Sequence, residues 1–147
     1  SAEVGRLVIS TVHAQSASQV FDRVLGFFPP SERESALRYF AANICCIMIQ
    51  KLLVAKDGKT LVPAAEVLLG NYTIKQLVLE KKIDKLSQAI RNAREEGMQT
   101  MDQSLLDLWK AGLISPETAL AASSSPDDLQ SMMKGIRIGQ DTKILGG

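Results

Sequence analysis

The residue of this sequence best placed to do chemistry is its single histidine, His13, which follows the run Leu7-Val8-Ile9-Ser10-Thr11-Val12. That run is β-branched and nearly all apolar without alternation, which predicts a strand covered on both faces in a parallel sheet. In open α/β sheets ligands bind beyond the carboxyl ends of the strands, and His13 would stand there. The competing reading is a polar side chain satisfied within a loop. Ser10 and Ser16 lie nearby, but there is no G-x-S-x-G elbow, and no second histidine exists to build a metal site. Gly58-Lys59-Thr60 resembles the end of a phosphate-binding loop, yet that motif needs glycine where Leu53 stands and a helix afterwards. The only cysteines, Cys45 and Cys46, are adjacent, too few and too close to staple a secreted fold or to form a C-x-x-C site. They suit a reduced, cytosolic protein.

The elements that must position these residues can be read from periodicity and caps. Ser16 with Gln19 forms a capping box, and Phe21, Val24, Leu25 and Phe28 recur at helical spacing. Pro29-Pro30 ends that helix. Ser31 with Glu34 predicts the start of a second, whose buried stripe is Leu37, Phe40, Ala41, Ile44, Ile47 and Met48, with both cysteines on or beside it. Asp57-Gly58 between Lys51–Lys56 and Lys59–Leu69 predicts a two-residue type I′ hairpin, with Pro63 confining the second arm to an edge or a bulge. Beyond Gly70 the pattern is helical: Thr73 to Lys82, Lys85 to Glu96 closed by Gly97, Met101 to Ala111 closed by Gly112, and two short helices opened by Ser115-Pro116 and Ser125-Pro126. Loss of periodicity from Arg137 predicts a frayed tail.

Composition bounds the rest. The chain has 147 residues, 46% of them hydrophobic and 22% charged, enough for one compact unit. A formal charge of +1 leaves no field for holding a nucleic-acid backbone or an anionic membrane by charge alone. The apolar stretch from Phe40 to Ile49 is interrupted by Asn43 and is far short of the roughly 20 residues needed to cross a bilayer. The first residues carry neither Met nor a basic-then-apolar signal, so the chain reads as a piece cut from something longer.

Several stretches taken in order carry a resemblance. Glu3-Val4-Gly5-Arg6-Leu7-Val8-Ile9-Ser10-Thr11-Val12-His13-Ala14-Gln15-Ser16-Ala17 resembles the His box E-T-G-H-L-V-x-x-T-L-H-T-x-S-A of the twitching-motility (PilT-type) type IV pilus retraction ATPases, in the secretion-ATPase superfamily. Phe21-Asp22-Arg23-Val24 and Phe28-Pro29 follow like that family's I-D-R-I…F-P. Gln50-Lys51-Leu52-Leu53 and Glu66-Val67-Leu68 match its Q-x-L-L and E-I-L segments, and Gly97-Met98-Gln99-Thr100-Met101-Asp102-Gln103 matches G-M-Q-T-[LM]-D-Q. The family's retraction-linked A-I-R-N-L corresponds to Thr73-Ile74-Lys75-Gln76-Leu77, with Lys for Arg and Gln for Asn. Ala14 stands where the family has threonine and Arg6 where it has histidine.

The resemblance, from Glu3 to about Ile136, implies an α/β fold. Residues 1–70 would be the C-terminal part of a RecA-like P-loop ATPase core with one buried strand and a hairpin, 71–136 a mostly helical subdomain, and 137–147 a flexible tail. It implies a homohexameric motor at the cytoplasmic face of the inner membrane. That motor uses ATP and Mg²⁺ to drive pilus retraction, works with an inner-membrane pilus platform protein, and neither binds nucleic acid nor inserts into the membrane. His13, with Thr11 behind it, would face the terminal phosphate. Asp22 and Arg23, and the segment Ile74, Lys75, Gln76 and Leu77, would contact neighbouring subunits or partners. No metal ligands are expected. The chain lacks Walker A and Walker B elements, so it is expected to hold no nucleotide tightly and to be inactive alone. The alternative is a non-catalytic helical adaptor of a pilus or secretion complex.

Overall fold

A computed structural model describes residues 6–135, which form seven α-helices and one two-stranded antiparallel sheet. The elements are α1 (Ala17–Gly26), α2 (Arg33–Asn43), β1 (Cys46–Val54), β2 (Leu61–Leu69), α3 (Tyr72–Leu79), α4 (Leu86–Asn92), α5 (Met101–Lys110), α6 (Pro116–Ala122) and α7 (Pro126–Met133). Short 3-10 turns at Ile83–Lys85 and Arg94–Glu96 flank α4. The described residues group into two compact units: one runs through Lys51 and resumes over Ala65–Met101, the other takes Leu52–Ala64 and the chain from Asp102.

The first unit is built on one face of each of α1 to α4. Phe21 and Ala17 of α1 are fully buried, and Phe21 meets Phe40 of α2 edge to face with ring centroids 5.2 Å apart, the arrangement ring quadrupoles favour. Ile74 and Val78 of α3 and Leu86 and Ile90 of α4 complete the core. Strand β2 alternates between covered and open positions, and its covered phase is Ala64, Glu66, Leu68. Glu66 thus carries a carboxylate into the interior. There Oε1 accepts the backbone N–H of Ala17 at 2.7 Å and Oε2 that of Met101 at 3.4 Å. These are the first residues of α1 and α5, whose leading N–H groups have no partner within their own helix and which concentrate partial positive charge. One side chain therefore caps two helices. Gln99 lies along the outer edge of β2, exchanging backbone bonds with Val67 at 2.8 and 3.0 Å and giving its side-chain amide to the Ala65 carbonyl at 2.8 Å. Gly97, at φ 94°, makes the left-handed turn that brings the chain from the 3-10 turn after α4 to that edge.

In the second unit Leu105, Ile114, Ala119 and Leu129 are buried around α5, α6 and α7. Ser115 caps α6 by accepting from Thr118 N at 3.1 Å, and the buried Asp102 accepts from the Ser123 hydroxyl at 2.7 Å.

Several sequence expectations are corrected. Leu7–Val12 has no regular secondary structure and pairs with no strand among the described residues, and Leu7 and Ile9 are 78% and 84% exposed. A strand is covered only by neighbours, and these residues supply none. Helix α1 stops at Gly26, leaving Phe28 outside. Ser31 caps nothing: α2 starts at Arg33 behind Glu32, and Glu34 instead pairs with Arg38 one turn on at 2.7 Å. That helix ends at Asn43, and Ile47 and Met48 belong to β1, where β-branched Ile47 and Ile49 alternate with exposed Met48. The turn is not type I′, because only Gly58 has positive φ. The loop is built on Asp57, whose carboxylate accepts Lys59 N and Thr60 N at 2.8 Å and the Thr60 hydroxyl at 2.6 Å. The expected helix over Lys85–Glu96 is broken at Ala93, and Ser125 makes no side-chain cap. The expected tail lies outside the described residues.

Three outcomes follow for folding. Glu66→Ala strips the caps of two helices at once and should lower the unfolding free energy by about 3 kcal/mol, with Glu66→Gln losing less, as read from urea denaturation. In Gly70→Ala the new Cβ would collide with the carbonyl oxygen of Ile44, so a loss of at least about 2 kcal/mol is expected in the same assay. The Thr60 and Lys59 donors hold the Asp57 carboxyl down, from the ordinary 3.8 to about 2. A depressed carboxyl stabilises the fold above its unfolded value and stops doing so as pH falls through its folded one. Protection of the Lys59 and Thr60 amides, their exchange rate relative to the intrinsic rate at the same pH, should therefore fall between about pH 4 and pH 2, and in Asp57→Asn that pH-dependent loss of protection should be absent.

Candidate functional site

A cleft of about 590 Å³ opens in the first unit between the segment leading into α1 and the start of β1. Its polar lining is His13, Gln15, Gln19, Arg23 and Gln50, with Met48 among the apolar residues. The path into α1 is fixed by three contacts. Ser16 Oγ accepts Gln19 N at 3.3 Å, Gln19 Oε1 accepts Gln15 N at 2.9 Å, and Ala17 N reaches Glu66. The expected capping box is therefore present but shifted, since Gln19 reaches back to Gln15 rather than to Ser16. Together these bonds hold the backbone just after His13. Arg23 follows Gln19 by one helical turn, so both lie on the face of α1 that borders the cleft.

His13 is exposed at the mouth of this space. The lining holds an imidazole, a guanidinium and three primary amides but no carboxylate. Such a set can donate to an anionic, oxygen-rich ligand. It contains no serine or cysteine nucleophile. Among the described residues no group of three or more His, Cys, Asp or Glu side chains is arranged to hold a metal ion.

The remaining sequence-chosen residues distribute elsewhere. Thr11 and Asp22 are exposed and lie outside the cleft lining. Ile74 is wholly buried in the helical core. Lys75 Nζ donates to the carbonyl of Ala42 at 3.0 Å, placing a cation at the C-terminal end of α2. Gln76 and Leu77 are half-buried on α3. The structure thus unites His13 with Arg23 and separates both from Lys75. Sequence reasoning gave Glu66 no role. The available signal was an acid on the buried phase of an otherwise apolar strand. Gln15, Gln19 and Gln50 were also missed as cleft residues, because amide side chains give no spacing signature.

No family model matches the chain. It is 33% identical over 129 residues to a twitching motility protein of Neisseria gonorrhoeae, covering 88% of this chain and 34% of that protein. It is 35% identical over 133 residues to the type IV pilus ATPase PilU of Pseudomonas aeruginosa, covering 90% and 35% respectively. The chain thus spans about a third of the length of the curated relatives it matches. Among solved structures, that of the pilus retraction motor PilT with bound ADP matches with a TM-score of 0.72 at 30% identity, over 82% of this chain and 33% of that one. No described helix is long and apolar enough to cross a membrane. Sequence and fold together place the chain in the twitching-motility, PilT-type family of the secretion-ATPase superfamily, as the counterpart of the C-terminal part of its members.

Proposed function

We propose that this chain is the C-terminal part of a motor ATPase that powers type IV pilus retraction and twitching motility by hydrolysing ATP. The observation that carries the reading is the match over 82% of the chain to a retraction motor solved with ADP. It is supported by a donor-rich cleft at the residue that sequence alone had singled out, His13. The exposed Leu7–Val12 segment is consistent with it. An apolar run that no strand covers among the described residues fits a central strand whose neighbours lie in another part of the protein.

The residues present fit one side of a nucleotide site. His13 and Arg23, with the amides of Gln15, Gln19 and Gln50, suit the anionic phosphate end, since every one of them can donate and no carboxylate opposes the charge. ATP supplies the chemistry of phosphoryl transfer. This chain's part is to contact the terminal phosphate through His13 and to pass its loss to α1, whose first turn is tied to the same loop through Ser16 and Glu66. None of the 147 residues forms a phosphate-binding loop, so positioning of the phosphates and of Mg²⁺ falls to the rest of the motor and the chain alone is inactive. In this reading residues 1–70 complete the ATPase core and 71–136 form the helical subdomain. The motor is a homohexamer at the cytoplasmic face of the inner membrane, acting on a platform protein. Exposed Asp22 and Arg23 border a neighbouring subunit, and Gln76 and Leu77 serve partner contact.

The test is ATP turnover by a protein joining this chain to the phosphate-binding half of the motor, with His13 or with His13→Ala. The substitution should lower turnover on the order of 100-fold at unchanged melting temperature, as for loss of one donor at developing phosphate charge. The 147-residue chain alone should stay at background. Unchanged turnover in the variant would remove His13 from the mechanism, and no hydrolysis by the joined wild-type protein would overturn the motor reading.

A further inference from the structure

The cleft leaves the two cysteines unused, and their placement is unusual. Strand β1 buries Ile47 and Ile49 and exposes Cys46, Met48 and Gln50. Carried backward, that alternation would put Cys45 on the covered side. Instead Ile44 is buried and Cys45 is exposed, so the phase slips between the two cysteines; both are exposed, neither is in a disulfide, and the Cys45 thiol donates to the Asn43 carbonyl at 3.6 Å. The slip is held from β2: Gly70 N donates to the Cys45 carbonyl at 2.9 Å, and Gly70 sits so close to Ile44 that a Cβ would collide with its carbonyl oxygen. Shielding by its surroundings pushes the Cys46 thiol up, and the neighbouring Cys45 pushes it further the same way.

We propose that Cys45 and Cys46 form a vicinal dithiol site that chelates one trivalent organoarsenical through both sulfurs. Zinc is disfavoured, because no third His, Cys, Asp or Glu among the described residues joins the pair to build a tetrahedral set. A centre of the form R–As(OH)₂ needs only two thiols and keeps R as its third substituent. Two As–O bonds break and two As–S bonds form. The two S–H protons leave with the hydroxides as two waters, and arsenic stays trivalent with no electron transferred.

The test treats the reduced 147-residue chain with phenylarsine oxide and reads intact mass and remaining thiols. One arsenical per chain should consume both thiols, survive excess 2-mercaptoethanol and be released by a dithiol. Cys45→Ser and Cys46→Ser, both surface changes, should each bind at least about 100-fold more weakly, because the second As–S bond is formed at high effective concentration only when both thiols are present. Two arsenicals per wild-type chain, displacement by the monothiol, or a serine variant binding as tightly as wild type would each overturn the proposal.

Discussion

The Glu66 carboxylate is the constraint on which the first unit depends. A buried acid is costly unless its charge is met, and here it is met by the N-terminal amides of α1 and α5. Neither is a cation. The positive ends of two helices thus face the acid. Because α1 is fastened at its first residue, the loop that carries His13 has a fixed end four residues away. Because α5 is fastened likewise, the Met98–Met101 stretch is drawn along β2, where Gln99 covers an edge that would otherwise offer unpaired backbone groups. The G-M-Q-T-M-D-Q resemblance thereby acquires a physical meaning. Gly97 turns the chain, Met98 is buried, Gln99 pairs with β2, Met101 meets Glu66, and Asp102 receives Ser123.

What the sequence made legible was local and periodic. Ser16 and Ser115 cap helices where their positions imply, and Gly97 and Gly112 both take positive φ at or just past helix ends. The errors arose where two periodicities overlap. Ile44, Ile47 and Met48 continue a helical stripe from Leu37 and Ala41, yet Ile47 and Ile49 also begin a strand, and pairing with β2 decided for the strand. Asp57-Gly58 satisfied a dipeptide rule, but the Asp57 side chain organised the loop by itself. The cleft was legible only in part. His13 and Arg23 were visible as residue types, whereas bringing them to one cleft required the helix start to be tied back to β2, a contact between residues 49 apart in sequence.

Lysine at position 75, where the resembling motif carries arginine, is accommodated locally. A guanidinium would matter if the side chain gripped a carboxylate with two parallel bonds. Here the ammonium meets a single carbonyl, Ala42 O, at the end of α2, where a point charge is sufficient and the helix dipole adds to the attraction. Its neighbour Ile74 is fully buried, so this stretch of α3 is committed inward before any partner is considered. The junction after α2 is then held from both sides of residue 70. Gly70 N donates to the Cys45 carbonyl at the base of the hairpin, and Lys75 Nζ donates to the Ala42 carbonyl near the end of α2. Since β1 begins directly after that junction and contributes Met48 and Gln50 to the cleft, the contacts of Lys75 and Gly70, together with pairing to β2, help to place those two residues.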